Sequence, residues 1–76
     1  MEIYIVRIFL ESQNNPLNIE DIIIFKKFEE ATDNVIEFCE KNKLKLKDDN
    51  KFINNRYYMY EDFLSEQFIW IEKHNI

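Results

Sequence analysis

Seventy-six residues suffice for one domain, close to the lower size at which a hydrophobic core holds a fold without disulfide or metal staples. The chain has no glycine, which excludes glycine-dependent phosphate loops, the dinucleotide fingerprint and the glycine-flanked serine elbow. A formal net charge of −5 argues against general affinity for nucleic acid, and the single cysteine excludes an internal disulfide and points to a reducing, cytoplasmic setting.

Glu2–Leu10 reads as the first strand, with Tyr4, Val6, Ile8 and Leu10 on one face and Ile3, Ile5, Arg7 and Phe9 on the other. Both faces are apolar apart from Arg7, the pattern of a central strand. The run is too short to span a membrane and lacks the basic lead and small-residue cleavage site of a signal peptide. Glu11–Asn18 follows as a polar loop broken by Pro16, and Ile19–Lys26 is the second strand, with Ile22 and Ile24 opposed by Ile23 and Phe25.

Phe28–Asn42 has sustained helical periodicity. Phe28, Ala31, Val35, Phe38 and Cys39 fall on one side, and Glu29, Glu30, Asp33, Glu37 and Glu40 crowd opposite. Cys39 on the apolar side is a buried small hydrophobe rather than a nucleophile. Beyond the helix, Lys43-Leu44-Lys45-Leu46-Lys47 alternates with period two. It is either an edge strand guarded by lysines or an extended connection that tucks two leucines under the helix. Arg56–Tyr60 and Gln67–Lys73 are two further strands joined by a hairpin loop at Glu61–Glu66. Without glycine, the turns fall to Asn14-Asn15-Pro16, Asp48-Asp49-Asn50 and Asn54-Asn55.

These elements predict an α+β domain of order β-β-α-β-β, spanning residues 1–76. Its three- to four-stranded, mainly antiparallel sheet carries one helix on one face. Twelve aromatic side chains (seven Phe, four Tyr and one Trp) give it a large apolar surface to bury, and Tyr57, Tyr58, Tyr60, Phe63, Phe68 and Trp70 cluster near the C-terminal end. One helix covers one sheet face, so apolar side chains on the other face are left for association, with a second copy or with another protein. Charge is segregated as well. Residues 1–40 carry a net −6, residues 41–56 a net +4 and residues 57–76 a net −3.

The expected function is that of a non-enzymatic protein-binding module. No catalytic residue, metal ligand set or cofactor is expected: His74, the only histidine, falls in a C-terminal end expected to be mobile, and Ser12 and Ser65 have no base near them. The candidate partner-binding residues are Glu29, Glu30, Asp33, Glu37 and Glu40 on the helix and Tyr57, Tyr58, Tyr60 and Trp70 on the sheet. The alternative is a single-stranded nucleic-acid module in which Tyr57, Tyr58 or Tyr60 stacks on bases while Lys43, Lys45, Lys47 and Arg56 hold phosphates. The net charge weighs against that alternative, and no membrane partner is expected.

The succession of a hydrophobic strand, a polar loop, a strand ending in Ile24-Phe25 and then the run Phe25–Asn42 (FKKFEEATDNVIEFCEKN) resembles small phage and prophage proteins of strand-strand-helix-strand type. Phe25, Phe28, Ala31, Ile36 and Phe38 fill the matching places over residues 2–42, with Ile24 where the family usually has glycine and a longer C-terminal hairpin. The resemblance implies a mobile-element protein that acts in the host cytoplasm by binding a host protein. Inhibitors of bacterial defence, anti-CRISPR proteins among them, are similar in size and charge. In such a protein the acidic stripe would compete with nucleic acid for a basic groove.

Overall fold

A computed structural model describes residues 1–11 and 18–76; the turn expected at Asn14-Asn15-Pro16 lies outside them. The elements are β1 (Glu2–Glu11), β2 (Asn18–Phe25), α1 (Phe28–Lys41), β3 (Phe52–Ile53), β4 (Arg56–Asp62) and β5 (Gln67–Asn75). The strands form one antiparallel sheet in the order β2-β1-β5-β4-β3. The architecture is α+β as expected, with β1 inside the sheet, but the described residues form five strands rather than three or four. The additional strand is the two-residue β3, paired Phe52 to Tyr57 and Ile53 to Arg56. Asn54 and Asn55 make the tight turn between β3 and β4 with φ of 51° and 65°, the left-handed pair of a type I′ two-residue hairpin.

The core lies between α1 and one sheet face. Val6 and Ile8 of β1 and Ile69 and Ile71 of β5 meet Ala31, Val35 and Cys39 of the helix, with Met59 of β4 completing the buried set. Lys43–Lys47 is not a strand. It runs as a connection whose Leu44 and Leu46 pack against the core, tied to β4 by the backbone bond from Lys47 N–H to the Met59 carbonyl (2.8 Å).

Local chemistry sets the helix ends. Glu29 and Glu30 in the first turn and Lys41 in the last suit the macrodipole, whereas the N-cap, Lys27, supplies no side-chain bond. At the C-terminus Leu44 N–H reaches the Cys39 carbonyl (2.8 Å) and Lys43 N–H the Glu40 carbonyl (3.4 Å), a Schellman closure with Lys43 at φ 57°. Phe28 opens the helix and anchors it to the sheet, its ring 5.6 Å from Tyr4, 5.4 Å from Phe52 and 5.1 Å from Tyr57.

A bulge in β4 sets two residues, Met59 and Tyr60, opposite Ile69. It changes which residues face the core along that strand: Tyr57, Met59 and Tyr60 pack against it, and Tyr58 points to the opposite face beside Trp70.

Candidate interaction surfaces

The helix presents the first surface. Ala31, Val35 and Cys39 are fully buried, which turns Glu29, Glu30, Asp33, Glu37 and Glu40 outward, and all five are exposed. Among the described residues none of the five takes part in an ion pair. Glu29 with Asp33 and Asp33 with Glu37 stand four residues apart, and like charges at that spacing destabilise a helix by about 0.2–0.5 kcal/mol per pair. The carboxylates extend over about 16 Å of helix axis at 1.5 Å per residue. Five phosphates of one DNA strand, spaced roughly 3.4 Å apart in projection on the duplex axis, extend over about 14 Å of that axis.

The opposite sheet face is the second surface, and none of the described elements packs over it. Its β2 side is apolar, with Ile22 and Ile24 53% and 61% exposed beside the half-buried Ile3 and Ile5. Towards β4 it becomes polar around Glu72, a carboxylate only 8% exposed. Glu72 Oε1 accepts a hydrogen bond from Trp70 Nε1 (2.9 Å) and faces Arg7 Nε at 2.9 Å and Arg56 Nε at 3.7 Å. Its Oε2 lies 3.0 Å from His74 Nε2. The Arg7 contact is an ion pair, since the Nε–H is not aimed along it and finds no hydrogen-bond acceptor. Burial pushes the Glu72 carboxyl up, but the contacts from His74, Trp70 and Arg7 outweigh it and hold the group down at about 2.

The candidate partner-binding residues are divided by the sheet. The five helix carboxylates lie on one side together with Tyr57 and Tyr60, which are half-buried against the core. Tyr58 and Trp70 lie on the other. Trp70 is already engaged: Phe9 stacks on it at 4.9 Å, Arg56 sits over it at 4.8 Å, and Tyr58 tilts against it at 5.6 Å. These neighbours compete with a nucleic-acid base for the ring, and the tyrosines do not form a common stacking platform. Of the cations in that alternative, Lys47 pairs with Glu61 (3.3 Å) and Arg56 with Glu72.

The Glu72 cluster itself was not anticipated. His74 belongs to β5, where it pairs with Ile3. A signal existed in the strand alternation, which places Trp70, Glu72 and His74 on one face and leaves Arg7 as the single charge within an apolar strand. Among the described residues no group of three or more His, Cys, Asp or Glu side chains is placed to hold a metal ion. No helix of the described residues is long and apolar enough to cross a membrane.

Comparison with protein-family models, with curated proteins and with solved structures gives no match.

Proposed function

We propose that this chain is a non-enzymatic protein-binding module whose acidic helix face docks on the basic, nucleic-acid-binding surface of a partner, an anti-CRISPR-like inhibitor acting on a host nucleic-acid-handling or defence protein. The observation that carries this reading is the row of five exposed carboxylates on α1, none in an ion pair among the described residues and with an axial charge density close to that of one DNA strand. A face of that kind is attracted to surfaces built for phosphate and associates fastest at low ionic strength. The resemblance to small phage and prophage proteins supports the same class of partner.

The test is capture from bacterial lysate by the immobilised protein and by a variant carrying Glu29→Lys, Asp33→Lys and Glu37→Lys. The expected result is enrichment of nucleic-acid-binding proteins that competing DNA or raised salt releases and that the variant fails to hold. Equal capture by a folded variant would remove the acidic helix from the mechanism.

A second contact is supported by the exposed apolar end of the opposite sheet face at Ile22 and Ile24. We assign it to self-association. Light scattering should then show a dimer that Ile24→Lys dissociates, and a wild-type protein monomeric at high concentration would dismiss this contact.

A further inference from the structure

At the hairpin end of the open sheet face, away from Ile24 and from the helix, lies a shallow groove of about 520 Å³ lined by Phe9, Phe63, Glu66, Phe68 and Trp70. Its walls are four aromatic rings and one carboxylate. Phe9 stacks on Trp70 at 4.9 Å, and Phe63 meets Phe68 edge-on at 5.7 Å. We propose that this groove binds the side chain of an arginine presented by a partner polypeptide, the guanidinium lying against the rings and pairing with Glu66.

Three observations fix the occupant. The hairpin carries Glu61, Asp62 and Glu66. Lys47 pairs with Glu61, and Ser65 holds both oxygens of Asp62 through its hydroxyl and N–H, while Glu66 has no ion pair among the described residues. Glu66 is thus the hairpin carboxylate left without an ion pair or hydrogen bond among the described residues, and it sits at the aromatic rim, where an incoming cation gains both ring and carboxylate. An apolar knob, such as Leu64 of a second copy, would instead desolvate Glu66 without compensation.

The protein makes the same kind of contact internally, the Arg56 guanidinium lying 4.8 Å from the Trp70 centroid. With Arg56 and Phe9 already on it, Trp70 backs the groove, and the rings left for an incoming guanidinium are those of Phe9, Phe63 and Phe68. The third observation is shape. The groove is shallow and its rings are broad, which suits a flat guanidinium that stacks and forks better than a compact, strongly hydrated ammonium. Phe63, 73% exposed, closes one wall from the hairpin tip, where Asp62 also accepts a hydrogen bond from Leu64 N–H.

This site goes beyond the helix reading and does not depend on it, because Phe9, Phe68 and Trp70 face away from α1. Its test is an NMR titration of the full chain with acetyl-Ala-Arg-Ala-amide and with the same peptide carrying citrulline, the neutral isostere. The expected result is saturable movement of the Phe63–Phe68 amides and the Trp70 indole signal with arginine, at least about tenfold weaker with citrulline. Glu66→Gln and Phe63→Ala each alter an exposed residue and should keep the dispersed native spectrum while weakening arginine binding about five- to tenfold. The Glu29→Lys, Asp33→Lys, Glu37→Lys variant should bind the peptide within about twofold of wild type, which separates this site from the helix. Equal binding of citrulline, shifts confined to α1, or no saturable shift would each overturn the assignment.

Discussion

Replacing Glu72 with glutamine removes one charge and little volume, and leaves an acceptor for the Trp70 indole. What is lost is the counter-charge to Arg7 and Arg56 and the acceptor character towards His74. A carboxyl held at about 2 against an ordinary 4.5 corresponds to about 3 kcal/mol at 1.36 kcal/mol per tenfold. The Arg7 and Arg56 side chains are 31% and 47% exposed, so solvent screening reduces the net contribution to about 1–2 kcal/mol. Because the folded value lies below the unfolded one, this stability is complete above about pH 4.5 and is lost as pH falls through that value towards 2. Urea unfolding followed by the fluorescence of Trp70 measures it. At pH 7 Glu72→Gln should unfold about 1–2 kcal/mol more easily than wild type, and the gap should close as pH approaches about 2. Glu2 and Asp62 are also held below their ordinary range, the first by the Tyr4 hydroxyl and Lys73, the second by Ser65, but both are present in each protein and cancel in the difference. A gap that is absent at pH 7, or that persists unchanged at low pH, would refute the reasoning.

Three other outcomes are expected. Lys43→Gly should raise stability by about 0.5–1 kcal/mol in urea unfolding, since it relieves a left-handed residue in a helix closure that glycine fits without strain. Lys27→Ser should add about 0.5–1 kcal/mol by the same measurement, because it provides the missing N-cap and Glu30 already occupies the position that completes a capping box. Cys39 is fully buried and burial pushes its thiol up, so a disulfide reagent should leave the native protein unmodified and react at the rate of unfolding; rapid modification in native buffer would contradict that placement.

The helix and the central position of β1 were legible because each writes its burial into a local period: 3.6 residues over Phe28–Lys41, and apolar side chains on both faces of Glu2–Glu11. The strand at Phe52–Ile53 was not, since two residues hold no period. Its only signature is the Asn54-Asn55 turn that ties it to Arg56. Strand alternation also fails to group the tyrosines correctly, because the bulge at Met59 inserts an extra residue and so puts Tyr58 and Tyr60 on opposite faces. The Glu72 cluster brings together residues 7, 56, 72 and 74 from three strands, and their convergence follows from pairing register alone: Arg7 stands opposite Trp70, and Arg56 opposite Glu72. The acidic face of the helix was read correctly as a surface. Its separation from Tyr58 and Trp70, but not from Tyr57 and Tyr60, needed the three-dimensional layering.

The two margins of the sheet are unequal: β2 offers an edge of eight residues, whereas on the other side the two-residue β3 covers Arg56 and Tyr57 of β4 and Lys47 N–H takes the Met59 carbonyl beyond it. Backbone at a sheet margin can template further chain, and a two-residue stub is too brief to do so. Copies that join margin to margin would therefore pair best through β2 against β2, where the edge is longest. On the opposite margin the β3 stub and the Lys47 contact break the free edge of β4 into short pieces, which disfavours further lateral growth.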